Sequence, residues 1–326
     1  MARIFIVGSG VVGTATGRGF TDAGHKVTFI DVLPSRIEAL RAEGLDAHDR
    51  LDLAGEPPAF IFLTLPTPNV GHAYDLSAFR AGTAAVGKAL RDADPVHTVV
   101  VRSTVPPLTA DTLVRPILEE NSGMAVDSGF SLASNPEFLR AATARDDFRW
   151  PWMTVVASPN KRTVERLVEL LKGFGGELRT FDSYASAELV KCAHNIYNAT
   201  KISFWNEMWL VAQKLGIDLD EVSATVARSA EASINPQYGI RGGAPYGGVC
   251  LPKDTKGFLG FADTIDLQMP LLEAVVAVND QLIHRVDEEL EAASGAIANG
   301  VAVPQPRDEN KVVVLPDTTV DAASKA

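Results

Sequence analysis

Cysteine is scarce in this chain: the 326 residues hold only Cys192 and Cys250, with no CxxC pair. A disulfide framework is thereby excluded, and a reducing compartment, the cytoplasm, is the expectation. Basic runs are missing as well. Lys and Arg number 30 against 41 Asp and Glu, a net charge of −11, whereas a surface that tracks nucleic-acid phosphates needs a basic face. Nucleic acid is therefore not expected as a partner. No apolar stretch reaches the length needed to span a bilayer, so no membrane partner is expected either. The apolar start MARIFIVGSGVVG is interrupted by three glycines, which fits a strand entering a tight turn better than a signal peptide. The six histidines show no metal-ligand spacing, and no metal is expected. Acidity leaves one class open. A small anionic ligand needs only a helix N-terminus and one or two cations.

At this length a single core gives way to more than one domain. Short apolar runs at Ile4–Val7, Lys26–Ile30, Ala59–Leu65, Thr98–Val101, Phe130–Ala133 and Thr154–Val156 alternate with helical or loop segments. Runs of this kind are buried parallel strands, and repeated βα units imply an α/β, Rossmann-type doubly wound sheet. The pattern changes near Ser183. From Ala185 to about Leu215 no Gly or Pro interrupts a long helical stretch, and Gly216 stands at its C-cap position. More helix is expected over Leu219–Ala230 and from Lys253 to about Ala293, around a Gly/Pro-rich loop at Asn235–Gly248. The expected division is 1–184 for the sheet, 185–294 for an all-helical central domain with its long connecting helix, and 295–326 for a flexible tail with one strand at Lys311–Leu315. Trp205 and Trp209 lie one turn apart on the long helix, as internal packing or as a face shared between subunits.

Gly8-Ser9-Gly10-Val11-Val12-Gly13 follows the first strand and opens a helix. The first glycine permits the turn, the second lets backbone approach a pyrophosphate, and the third lets helix pack on strand. Asp31 ends the second strand, 18 residues beyond Gly13, where a carboxylate binds ribose hydroxyls and repels a 2′-phosphate. NAD is the expected cofactor. Arg36, close by, works against that preference.

Pro245-Tyr246-Gly247-Gly248-Val249-Cys250-Leu251-Pro252-Lys253-Asp254 is the most informative stretch. Pro252 fits the first turn of a helix, which sets Cys250 at its N-terminus, where the positive helix end and Lys253 favour a thiolate. Cys192, within the long helix, reads as an inert packing cysteine.

GGVCLPKD resembles the GGSC-x-PKD signature of the UDP-glucose/GDP-mannose dehydrogenase family. LPTP at Leu65–Pro68, STVPP at Ser103–Pro107, NPEFLR at Asn135–Arg140 and AELVKCAHNIYNATKISFWNE at Ala187–Glu207 agree in the same order. The likeness runs from residue 1 to about residue 290. It implies NAD-dependent, four-electron oxidation of a nucleotide sugar's C6 alcohol to a carboxylate, with UDP-glucose as first choice, through a thiohemiacetal and a thioester on Cys250. It also implies that Lys191 and Asn195, one helical turn apart, stabilise charge at C6. Glu137 is implied as the base for thioester hydrolysis, and Asp254 and Thr104 as the pair holding the water. Thr67, Thr104 and Lys253 are implied to approach the cofactor with Gly8, Gly10, Val11, Val12, Gly13, Asp31 and Arg36. The substrate residues implied are Glu137, Phe138, Leu139, Lys191, Asn195, Tyr246 and Gly247, with Arg241 substituting from the loop. A homodimer through the helical domain is implied too.

The chain departs from the family pattern in several places. Ala141 stands where a second Glu is usual, Val249 where the signature has Ser, and Ile234 where an Arg often reaches a neighbouring subunit's sugar. Family members usually continue into a third, nucleotide-binding domain, of which residues 295–326 would be a remnant. GDP-mannose is a second candidate, because Pro151-Trp152-Met153-Thr154-Val155 resembles that branch, and another NDP-sugar or a nucleoside is a third. Two different readings stay open: a two-electron β-hydroxyacid-type dehydrogenase, which also uses a Lys and an Asn one turn apart but no cysteine, and a non-catalytic homologue.

Overall fold

The computed structural model describes residues 1–94, 96–229, 245–248 and 250–298. The chain divides into two compact units, 1–199 and 200–326. Each is described by itself.

The first unit is built on strands β1 (Arg3–Val7), β2 (Lys26–Ile30), β3 (Ala47–His48), β4 (Ala59–Leu63), the small separate hairpin β5 (Asn69–Val70) and β6 (Ala73–Tyr74), then β7 (His97–Val101), β8 (Phe130–Ser134), β9 (Met153–Ala157) and β10 (Glu177–Phe181). Eight of them form one sheet in the order β10-β9-β8-β7-β4-β1-β2-β3. Its strands explain why the sequence shows unbroken apolar runs rather than alternation. In β1, Phe5 and Val7 join one core and Ile4 and Ile6 the other; in β4, Ile61 and Leu63 face the first and Phe60 and Phe62 the second. Successive side chains point to opposite faces, and both faces are covered. Helix α1 (Val11–Asp22) brings Phe20, α2 (Pro34–Ala42) brings Ile37 and Leu40, and, beyond the loop after β6, α3 (Ser77–Arg91) brings Phe79 and Leu90 to the opposite face. Leu118 on α4 (Arg115–Ser122) packs beside α3's residues.

One expectation needs correction. The sheet is mixed, because β9 meets β8 antiparallel at Ser134 and Ala157, while β10 runs parallel to β9. The segment between β8 and β9 holds only the six-residue helix α5 (Ala144–Arg149) and a single 3-10 turn. Neither is long enough to carry the chain back along the sheet for a parallel crossover. Helix α6 (Lys161–Leu171) then links β9 to β10, with Asn160 Oδ1 capping it by accepting from Arg162 and Thr163 N–H. The long helix α7 (Tyr184–Leu215) begins in this unit and ends in the next.

The described part of the second unit is helical: the C-terminal half of α7, α8 (Leu219–Ser229), and the helices Cys250–Thr264 and Pro270–Ala298. Gly216 closes α7 at φ +66, the left-handed conformation the C-cap needs. Val211, Ala262 and Met269 form a small core. Glu207, the last residue of the FWNE segment, is buried and accepts from the N–H groups of Leu271 and Leu272, so it caps the helix that starts at Pro270. Trp209 is half exposed, with Ile202, Phe204 and Leu210 also turned outward, so internal packing does not describe this face. The tail expected to be flexible from residue 295 continues as helix to Ala298. Lys311–Leu315, Arg241, Ile234 and Val249 lie outside the described residues. Among those described, no helix is long and apolar enough to cross a membrane.

Candidate active site

The carboxyl ends of β1, β2, β4, β7 and β8 open onto one cavity of about 1140 Å³, at the upper end of ordinary ligand pockets. Gly8, Gly10, Val11, Val12, Asp31, Arg36, Thr67, Thr104 and Glu137 are all in its wall. Gly13 is not. It lies beneath the turn, where a Cβ would stand 1.9 Å from the Gly8 carbonyl oxygen, so this position admits only glycine. Gly8 has φ +98, and its own Cβ would meet the Thr64 carbonyl at 2.6 Å. Gly10 is different: no described atom lies within 4 Å of its Cβ position, and no side chain caps α1. The first N–H groups of α1 are thus left to an anion in the cavity, which fits a dinucleotide's pyrophosphate.

Asp31 closes the β2 end. Its Oδ2 accepts from Ser9 N–H at 2.7 Å and Ser9 Oγ–H at 2.6 Å, and its Oδ1 from Leu33 N–H at 3.0 Å. Burial pushes this carboxyl up, but the Ser9 and Leu33 hydrogen bonds and the Arg36 charge outweigh it and hold the group below the ordinary Asp value. Oδ1 keeps an acceptor site for a ribose hydroxyl. Arg36 Nη1 sits 3.4 Å from Oδ2, so its charge is engaged by Asp31. Replacing Asp31 by Ser removes the anion and frees Arg36. The preference for NAD over NADP should fall by about 10–100-fold, read as the ratio of the two dissociation constants.

The other end of the cavity carries reactive groups. Glu137, in the loop after β8, is buried and pairs with Lys191 of α7 at 3.2 Å, both side chains at 10% exposure or less. Its second oxygen accepts from Leu139 N–H. Lys191 Nζ also stands 5.4 Å from the centre of the Phe138 ring. Thr67 Oγ1 donates to the Thr104 carbonyl at 2.7 Å, tying the loops after β4 and β7 together. Asn195, one turn beyond Lys191, is exposed, and Phe138 and Leu139 are half-buried.

Two participants escaped the sequence reading. Arg102 directly follows β7, is buried, and donates to Thr16 Oγ1 at 2.8 Å and to the Asn135 side chain. Burial pushes its pKa down to about 10, against the opposing pull of Glu137, so it stays cationic at neutral pH. A charged residue directly after an apolar strand of an α/β sheet was the available signal. The other is Glu188, three residues before Lys191.

In the second unit, Cys250 is the first residue of its helix and is exposed. Pro252 falls in the first turn, as its fixed φ favours. Tyr246 N–H donates to Asn279 Oδ1 at 2.7 Å, which fixes the strand of chain before the cysteine, and Gly247 is exposed. Lys253 Nζ lies 2.6 Å from Asp254 Oδ1, so these two neutralise each other, and the expected help of Lys253 to the sulfur is shared with Asp254.

Residues 52–175 match the model of the UDP-glucose/GDP-mannose dehydrogenase family's NAD-binding domain, and residues 185–281 that of its central domain. The UDP-glucose 6-dehydrogenase AglM of Haloferax volcanii is 32% identical over 301 residues, 85% of this chain and 69% of that protein. The chain belongs to the UDP-glucose/GDP-mannose dehydrogenase family. Another relative, the GDP-mannose 6-dehydrogenase of Azotobacter vinelandii, is 31% identical over 304 residues, 87% of this chain and 69% of the relative. A ternary complex of GDP-mannose dehydrogenase from Pseudomonas aeruginosa superposes with a TM-score of 0.82 at 28% identity, covering 89% of this chain and 71% of that one. The resemblance read from the motifs is thus borne out, as are the Rossmann-type sheet with a helical domain and NAD as the cofactor of the family's first domain. Residues 4–68, which contain the glycine turn and Asp31, also match the ketopantoate reductase PanE/ApbA model.

Proposed function

We propose that this chain is an NAD-dependent nucleotide-sugar 6-dehydrogenase that oxidises the C6 primary alcohol to a carboxylate by way of a thioester on Cys250. The observation that carries the reading is the buried Glu137–Lys191 pair at the end of the dinucleotide cavity. A two-electron dehydrogenase has no hydrolytic step and no use for a carboxylate placed to take a proton from water, nor for an exposed cysteine opening a helix.

NAD, held along the glycine turn at Gly8–Gly13 and by Asp31, would supply the acceptor for the two hydrides that C6 must lose. Lys191 and Asn195 stabilise the oxygen charge that develops as the C6 hydroxyl loses its proton. Cys250 Sγ adds to the aldehyde carbon and forms the C–S bond. After the second oxidation this carbon is a thioester. Glu137 takes a proton from the attacking water, the C–S bond breaks, and carboxylate and thiol are released. Arg102 supplies standing positive charge near Glu137.

UDP-glucose is the first candidate and GDP-mannose the second, since relatives acting on each are matched at nearly equal identity. A panel of NDP-sugars and nucleosides, followed for NADH and for acidic product, tests the reading. Turnover of one NDP-sugar to its uronate is expected; tight NAD binding with no NADH from any member would establish a non-catalytic homologue. A homodimer through the helical region is part of the proposal, supported by the outward Ile202, Phe204, Trp209 and Leu210, and its test is a solution mass twice that of the chain.

A further inference from the structure

Glu188 is one of the most deeply buried charged groups in the first unit, and the reaction described above makes no use of it. It is 3% exposed. Oε1 accepts from Ala110 N–H at 2.8 Å, and the N–H groups of Leu108 and Thr109 also favour its charge. Oε2 is buried with no hydrogen-bond partner. The backbone it holds is strained. Leu108 has φ +74, a conformation costly for a side chain-bearing residue, which persists only where surrounding contacts over-determine it. Within the turn Thr109 donates to the Pro106 carbonyl; from outside, contacts come from one face of α7. Glu188 takes the far end of the turn, and Cys192, four residues on, donates Sγ–H to the Val105 carbonyl at 3.4 Å.

The near end of the same turn is bonded to the loop after β4. Ser103 Oγ donates to the Leu65 carbonyl at 2.7 Å, and the Thr104 carbonyl accepts from Thr67. Ser103 and Thr104 are in the cavity wall. Lys191 lies between Glu188 and Cys192 on α7 and points to Glu137. A single helical turn therefore sets both the Lys191 ammonium and the loop that bears Thr104.

We propose that Glu188 is a positioning residue of the dinucleotide cleft, whose carboxyl holds the Ser103–Ala110 turn in its strained form and so places Thr104 against the cofactor in register with Lys191. Oxygen acceptors directed at these N–H groups are what the role demands. Glutamine supplies one; leucine supplies none.

The charged and titratable groups acting on this carboxyl are Asp111, in the π-helical turn Ala110–Val114 that follows the strained loop, and Cys192 on its own helix, which in turn interacts with Lys191 and with Tyr74 of the hairpin. Burial, with Asp111 adding to it, raises Glu188 to about 7 against the N–H groups that oppose the shift. The folded state thus binds a proton that the unfolded chain has released between its ordinary value, about 4.5, and 7. The associated stability is complete below that ordinary value and is lost as pH rises through 7.

The test is NADH titration of the full chain by fluorescence, with melting curves at pH 6 and pH 8. Because no sugar is involved, the result stands or falls apart from the substrate reading. Glu188→Leu should weaken NADH about tenfold at a temperature where circular dichroism shows it folded, the size of a lost charged hydrogen-bond set. Glu188→Gln should bind within about twofold of the parent. The melting temperature of Glu188→Gln relative to the parent should rise from pH 6 to pH 8. Parental NADH affinity in Glu188→Leu, or Glu188→Gln as weak as Glu188→Leu, would overturn the proposal. Where Glu188→Leu does not fold, Glu188→Ala, which likewise offers no acceptor, takes its place in the titration, and parental NADH affinity there overturns the proposal.

Discussion

Cys250→Ser is expected to abolish formation of the carboxylate, lowering its rate by about a thousandfold or more. The two side chains are nearly the same size, and Cys250 is exposed at the first residue of its helix, so no packing is lost and the melting temperature should hold. What changes is the bond formed with the aldehyde. Sulfur adds without a strong base, and a thioester is readily cleaved by water. Serine needs a base to become nucleophilic, and the base of the proposed route, Glu137, serves the water of the later hydrolysis. NADH formed by the variant should stop at one per sugar, with aldehyde in the mixture. Acid produced at the parental rate would remove the cysteine from the reaction.

Lys191→Met should lower kcat by about 10²–10³-fold, the loss seen when one donor to a developing oxyanion is removed. It should also destabilise the fold by about 3–5 kcal/mol at most, because Glu137 is left buried without its ammonium partner. The Leu139 N–H and the nearby Arg102 charge remain to moderate that cost. The double variant Lys191→Met with Glu137→Gln separates the two effects. It removes the stranded charge, so stability should return in part while activity stays lost. Recovery of both together would mean that Lys191 serves the fold alone.

The parts of this fold that were legible are those where one physical pressure acts. β1, β2, β4 and β7 are buried on both faces, and their Val, Ile and Phe content reads as buried strand. β10 was not legible: Glu177–Phe181 lies at the sheet's edge, almost wholly exposed, and its sequence ELRTF carries no apolar run. The antiparallel entry of β9 was hidden as well, since direction depends on what the connection can span and not on the strand's own residues. In the site, the glycine turn and Asp31 announce themselves because backbone approach and ribose recognition restrict residue type. Glu188 did not. In sequence it is one polar residue on a helix, and only the fold brings it under the strained turn at Leu108.

The central claim is a four-electron oxidation on one sulfur, and the stoichiometry of reduced cofactor tests it most directly. With the nucleotide sugar limiting and NAD in excess, the account predicts two NADH for each sugar consumed, with uronate as the product. One NADH per sugar, with aldehyde or ketone accumulating, would contradict it.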